Sequence, residues 1–263
     1  MSLRLGSVTL PTMTKMIGVF VATMTMALAG SLEKMKAEVH KKDDKSLPYR
    51  WTKVGESETP ALILFLHGAG ERGSDNKVQL KHGVGDLLKW IGNNKESAVV
   101  VAPQCNREVW WADLKGDFRA PKGGDLSEKP SAMMTMVFEV VDRLVKEEKV
   151  DPNRIYVTGL SMGGFGTFAA VARRPEFFAA AMPVCGGGDP KTAKAMKQVP
   201  FWVFHGAADN VVPLKASSLM VEALKKAGAT VKLREYPGVG HDSWTATYRD
   251  PEVWKWLFSK RSE

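Results

Sequence analysis

Gly159-Leu160-Ser161-Met162-Gly163 is a G-x-S-x-G pentapeptide that follows the apolar run Arg154-Ile155-Tyr156-Val157-Thr158 and opens a stretch of small residues running to Ala170. Strand, sharp turn and helix in that order lift a serine hydroxyl out of the turn, where a substrate can reach it. The glycines on either side let neighbouring backbone approach without a Cβ in the way. The helix is expected to run to about Arg174, with Arg173 and Arg174 near its negative end and Pro175 stopping it, so that its positive end points at the reacting oxygen.

A serine hydroxyl is a poor nucleophile at neutral pH. It needs a histidine to take its proton and a carboxylate to fix the imidazole tautomer. In α/β-hydrolases, whose nucleophile elbow this pentapeptide resembles, the acid and then the histidine follow the serine along the chain. Of the five histidines, His40, His67, His82 and His205 all precede Asp209, and only His241 follows it. His241 lies in the glycine-bearing loop Pro237-Gly238-Val239-Gly240-His241-Asp242, which can carry a side chain over the serine. Asp209 follows an apolar run within a turn-rich segment, at the end of a strand where catalytic groups gather in open α/β sheets. Asp189, in Gly186-Gly187-Gly188-Asp189-Pro190, is the rival acid, although that segment also reads as a plain turn. Asp242 adjoins His241 and is badly placed to orient it.

A tetrahedral intermediate requires backbone N–H donors aimed at its oxyanion. The amide of Met162, directly after the serine, is one expected donor. The other is the amide of Ala69 in His67-Gly68-Ala69-Gly70, a segment that ends an apolar run. His67 itself is expected to be a structural hydrogen-bonding residue. The adjacent Trp110 and Trp111 either line a pocket at this edge or cap the core against solvent.

The elements that must hold these residues alternate along the chain. An edge hairpin is expected from 37–40 and 49–54, around a polar turn at 43–46. Short, almost continuously apolar runs at 61–66, 98–102, 155–158, 179–184, 201–204 and 231–236 suit strands buried on both faces, the condition of a parallel sheet. Helical patterns occupy 78–90, 131–149, 162–174, 191–197, 214–227 and 251–259. This is a doubly wound α/β arrangement with a mostly parallel sheet, helices on both faces and an antiparallel hairpin at one edge. Met133, Met134 and Met136 read as core packing.

With 263 residues, 44% hydrophobic and 25% charged, the chain has room for one large domain with a sizeable core. Arg4 and Lys15 precede an apolar stretch from 16 to 29 that ends Ala27-Leu28-Ala29, the pattern of a secretory signal peptide. The expected organisation is a signal over 1–29, an N-terminal segment and edge strand over 30–46, and a catalytic domain over 47–263. The mature chain would then be secreted or periplasmic, without stable membrane insertion. The formal charge of +8 comes with no dense basic block and no nucleic-acid motif, so no nucleic-acid partner is expected. Cys105 and Cys185 are the only thiols, and each follows a strand with two others between. That places them roughly 14 Å apart, too far for a bridge unless loops converge, so two buried thiols are the default. No cysteine or histidine spacing suggests a metal.

Taken together, the segments Leu66-His67-Gly68-Ala69-Gly70-Glu71-Arg72-Gly73, Ala102-Pro103-Gln104-Cys105, Gly159 to Thr167 and Cys185-Gly186-Gly187-Gly188-Asp189 resemble the phospholipase/carboxylesterase-type branch of the α/β-hydrolase superfamily. The chain is similar also to secreted esterases allied to polyhydroxybutyrate depolymerases and feruloyl esterases, and more distantly to the catalytic domain of prolyl oligopeptidases. The resemblance covers residues from Tyr49 onward. It implies a Ser161, Asp209 and His241 triad, with no metal or organic cofactor, and says little of the substrate; the short intervals after Cys185 and Asp209 leave no room for a large lid and favour small or soluble esters. A peptidase or amidase of the oligopeptidase kind is the enzymatic alternative, although no propeller precedes the core and no acidic pair for a peptide terminus is evident. A non-catalytic binding protein on the same scaffold is the third reading, disfavoured because no triad member is missing. Acyl and alcohol specificity and oligomeric state are left open.

Overall fold

In chain order the strands are β1 (Lys36–Lys42), β2 (Lys45–Val54), β3 (Ala61–Leu66), β4 (Ala98–Pro103), β5 (Leu114–Lys115), β6 (Asp125–Leu126), β7 (Ile155–Leu160), β8 (Ala180–Val184), β9 (Phe201–Gly206) and β10 (Val231–Tyr236). They come from a computed structural model that describes residues 32–117 and 123–262. The expected signal over 1–29 lies outside the described residues.

Eight of the strands form one sheet in the order β1-β2-β4-β3-β7-β8-β9-β10. From β4 to β10 every neighbour is parallel, and only β2 runs antiparallel to β1 and β4. The expected hairpin is therefore the sheet edge. All of β3 and β7 is buried, as strands covered on both faces must be.

Among the described residues, six α-helices cover the two faces: α1 (Val84–Asn93), α2 (Ala132–Glu147), α3 (Met162–Arg173), α4 (Leu214–Lys226), α5 (Trp244–Arg249) and α6 (Pro251–Phe258). The alternation of β3 divides the core. Leu62, Leu64 and Leu66 pack with Met133, Met134 and Met136 of α2 and with residues of α3 and α4. Ile63 and Phe65 point the other way, into a second cluster with Leu87 of α1, Tyr248 of α5 and Trp254 of α6. The period of two along a strand thus builds both hydrophobic layers at once.

Two expected helices differ. The pattern over 78–90 splits into a single 3₁₀ turn, Val78–Leu80, and α1, because Gly83 between them takes φ +75°. A side chain at Gly83 would meet the Tyr248 ring at 2.4 Å and the Phe65 ring at 2.7 Å. The helix expected over 191–197 is a 3₁₀ segment, Pro190–Lys194. Helix α5 and the short β5–β6 pair carry too little periodicity to have been read from sequence. Elsewhere the ends agree closely: Ser131 caps α2, its hydroxyl accepting from the Met134 amide at 3.1 Å.

Because the parallel strands share one direction, the segments after β3, β7, β8, β9 and β10 all emerge at one edge of the sheet. In open α/β sheets this is the edge where ligands and catalytic groups gather.

Candidate active site

Ser161 joins β7 to α3 with φ +52° and ψ −116°, a left-handed conformation that costs a non-glycine residue about 1–3 kcal/mol. Its surroundings hold it there. The Ser161 amide donates to the Val184 carbonyl at 2.9 Å, and the Phe165 amide donates to the Ser161 carbonyl at 3.1 Å. The elbow is also too tight for side chains at its flanks: a Cβ on Gly163 would lie 2.0 Å from the Leu66 carbonyl oxygen. Gly163→Ala is therefore expected to cost about 3 kcal/mol or more and to lower the melting temperature by roughly 6 °C. An unchanged thermal melt would refute this reading of the elbow.

His241 closes over the serine from the loop after β10. That loop rests on the end of β9, with the Ala208 amide donating to the Val239 carbonyl at 2.9 Å. A Cβ on Gly206 would sit 2.1 Å from the Gly240 carbonyl oxygen, so glycine is what lets the loop come this close. His241 Nδ1 lies 2.7 Å from Asp209 Oδ2, and Nε2 lies 2.9 Å from Ser161 Oγ. The carboxylate can only accept, so Nδ1 carries the proton and Nε2 presents its lone pair to the serine hydroxyl. The Asp209 side chain is fully buried. Its other oxygen accepts the amides of Val211 at 2.9 Å and Val212 at 3.0 Å.

One partner of this group was passed over in the sequence. His205, excluded as the base by chain order, lies beneath Asp209 with Nε2 3.3 Å from Oδ2. The same Nε2 donates to the Val212 carbonyl at 2.9 Å, and Nδ1 lies 2.7 Å from Ser217 Oγ. Burial pushes the His205 pKa down, so the contact is a neutral imidazole bracing the acid rather than a second ion pair. The only sequence signal was a histidine at a strand end, four residues before the aspartate.

The rival acids do other work. Asp189 caps the 3₁₀ segment after it, accepting the Lys191 amide at 2.9 Å and the Leu126 amide at 3.0 Å. Asp242 accepts from the amide of Thr245 at 3.1 Å and from its hydroxyl at 3.0 Å, at the start of α5. His40 pairs with Glu139 at 2.8 Å on the hairpin, and His82 lies 3.6 Å from Glu71.

His67 shapes the loop that carries Ala69. Its Nδ1–H donates to the Gly68 carbonyl at 2.6 Å, its Nε2 accepts the Cys105 amide at 2.9 Å, and its carbonyl accepts Trp111 Nε1 at 3.0 Å. This wiring needs a neutral ring, and burial pushes its pKa down to about 4. Since the folded value lies below the ordinary 6.5, the unfolded chain takes up this proton first as pH falls. Stability from His67 is whole above about pH 6.5 and is lost between there and about pH 4, on the order of 3 kcal/mol in all. Urea midpoints between pH 7.5 and pH 4.5 should fall less steeply for His67→Gln than for the native chain (roughly one step of 1.4 kcal/mol per pH unit separates them). Parallel slopes would count against it.

The tryptophan pair divides. Trp111 is fully buried, whereas Trp110 is 43% exposed and stands between two concavities. One is a cleft of about 500 Å³ with Val109, Ala112, Leu114 and Phe165 in its wall, and the other is a hollow of about 530 Å³ that includes Ala69 and Gly70.

Among the described residues, Cys185, Asp209 and His241 place metal-ligand atoms within 4.8 Å of one another. Asp209 and His241 are already bonded together, and burial pushes the Cys185 thiol up to about 12, so no thiolate is offered at neutral pH. Both cysteines are buried free thiols, as their separation in the sheet order anticipates.

Known proteins share this arrangement of the chain. The profile of a family described as Phospholipase/Carboxylesterase matches residues 48–251. Carboxylesterase SOBER1 of Arabidopsis thaliana is 28% identical over 208 residues, which span 73% of this chain and 88% of that protein. Poly(3-hydroxyalkanoate) depolymerase C of Paucimonas lemoignei is 39% identical over 132 residues, 48% of this chain and 28% of the other. A crystal structure of a thermostable esterase superposes with a TM-score of 0.78 at 36% identity, covering 88% of this chain and 64% of its own.

Proposed function

The chain belongs to the phospholipase/carboxylesterase family, and on that footing we propose that it is a serine hydrolase of carboxylic esters working through an acyl-enzyme. The observation that carries this reading is His241 bridging Asp209 at 2.7 Å and Ser161 at 2.9 Å. Ser161 Oγ attacks the ester carbonyl while its proton passes to His241 Nε2, and Asp209 stabilises the resulting imidazolium. The amides of Ala69 and Met162 hold the oxyanion, the latter at the positive end of α3. Collapse breaks the carbonyl–alkoxide bond, and the leaving oxygen takes the proton from Nε2. Water then repeats the sequence on the acyl-enzyme, returning the acid and the free hydroxyl.

Small or soluble esters fit best. The intervals after Cys185 and Asp209 are short, which leaves little chain for a large lid, and the cleft beside Trp110 and Phe165 is about 500 Å³. The basic and then apolar pattern up to Ala29 supports export with cleavage, which the mass of the mature N-terminus would reveal.

The test is hydrolysis of p-nitrophenyl acetate and butyrate by purified protein, together with labelling by a fluorophosphonate probe mapped to its residue. Turnover with label on Ser161 is expected. A folded protein that neither reacts with the probe nor releases p-nitrophenol would end the proposal.

A further inference from the structure

Building on the ester-hydrolase reading, we propose that the hollow beside the Ala69 loop is a subsite for a carboxylate carried by the substrate, so that the preferred esters are monoanions. The hollow, about 530 Å³, is walled by Ala69, Gly70, Arg72, Arg107, Glu108 and Trp110. Ala69 and Gly70 in its wall belong to the loop that carries the expected oxyanion amide. Leu66 pairs with Gly159 across β3 and β7, and a Cβ on Gly163 would come within 2.8 Å of the His67 carbonyl oxygen, so the loop bearing Ala69 lies directly on the elbow.

Two guanidinium groups meet one carboxylate in this wall. Among the described residues neither Arg72 nor Arg107 has an ion-pair partner, and Glu71, the acid next to Arg72 in the chain, lies 3.6 Å from His82 instead. Arg72 is already set in place: its Nε donates to the Ala69 carbonyl at 3.0 Å, and its guanidinium carbon lies 5.5 Å from the centre of the Trp110 ring. A guanidinium restrained in this way loses little freedom on gripping an anion, and its planar fork matches a carboxylate. Arg107, exposed at the rim, adds the second charge.

The cleft on the other side of Trp110 has the opposite character. Glu108 and Asp113 are its charged residues, beside Val109, Ala112, Leu114 and Phe165. A carboxylate is repelled there and a hydrocarbon arm is welcome. A substrate with one charged and one apolar arm is thereby oriented, charge toward Arg72 and Arg107 and hydrocarbon toward Phe165. The charged arm belongs to either the acyl or the alcohol half, depending on how the ester lies over Ser161.

Two matched pairs of esters distinguish these arrangements: monoethyl succinate against ethyl butyrate for the acyl half, and acetoxyacetate against propyl acetate for the alcohol half. The quantity read is the ratio of kcat/KM for anionic over neutral ester, compared between the native enzyme and Arg107→Gln so that intrinsic reactivity cancels. In one pair the ratio should fall about three- to fivefold in the variant, mostly through KM, with partial recovery in Arg107→Lys. The native ratio should also shrink as NaCl rises from about 50 to about 500 mM. Ratios that match in native and variant enzyme for both pairs, or a variant that slows anionic and neutral esters equally, overturn the subsite. Those results in an enzyme that labels on Ser161 and turns over neutral esters leave the hydrolase reading standing, whereas absence of both labelling and turnover defeats the two together.

Discussion

Ser161→Ala is expected to lower kcat on p-nitrophenyl butyrate by about 10⁶-fold and to leave the protein folded. The serine pays for its φ of +52° with backbone strain, and alanine in the same conformation pays no more. What disappears is Oγ, the atom that forms the new bond, together with its 2.9 Å hydrogen bond to His241. The oxyanion donors are backbone groups and survive, so a residual rate of about 10³-fold over water should persist. Adding His241→Ala to this variant should cost almost nothing further, since a base has no role without its nucleophile. A Ser161→Ala enzyme that keeps more than about one part in a thousand of its activity, with contaminating enzyme excluded by mass spectrometry, would show that the elbow serine is not the nucleophile.

Asp209→Asn should lower kcat about 10⁴-fold, with a modest loss of thermal stability. The geometry dictates which way the new amide turns. Oδ1 accepts two backbone amides, from Val211 at 2.9 Å and Val212 at 3.0 Å, so the amide oxygen must take that position. Its NH₂ then faces His241 Nδ1 and forces that nitrogen to accept. The proton moves to Nε2, and the imidazole presents a donor to Ser161 where a base is needed. The same NH₂ meets the buried Nε2–H of His205, formerly 3.3 Å from Oδ2, and two donors facing each other out of water account for the lost stability. Asp189→Asn provides the control. That carboxylate caps a 3₁₀ segment, and its variant should keep kcat within a few-fold. If Asp189→Asn were the crippled enzyme and Asp209→Asn the active one, the assignment of the acid would be reversed.

Much of the architecture was legible because local pattern and tertiary role coincide. An uninterrupted apolar run such as β3 must lie between two helical layers, and it is buried along its whole length. Strand β10 also keeps the ends of its sequence pattern, but as the edge strand carrying Lys232, Arg234 and Glu235 it is only partly buried rather than covered on both faces as expected. Ser131 and Pro175 mark helix limits through capping and the missing amide. Where tertiary packing overrides the pattern, the reading failed. The periodicity from 78 to 90 is helical throughout, yet Tyr248 and Phe65, remote in the chain, crowd Gly83 and break it. Trp110 and Trp111 look equivalent as neighbours, but the carbonyl of His67 accepts only the second, which draws it into the core and leaves the first at the surface.

The chain by itself determined which residue types could meet and in what order, because an elbow serine, a strand-end aspartate and a loop histidine are each tied to a local pattern. The common direction of the parallel strands was also implicit there, and it is why their ends share one edge. Only the tertiary structure decided the distances, the bracing of Asp209 by His205, and the gathering of Arg72, Arg107 and Trp110 around one hollow. Those depend on contacts between segments far apart in sequence, whose approach is set by how closely glycine backbones such as Gly163 and Gly206 can pack, and no local propensity encodes that.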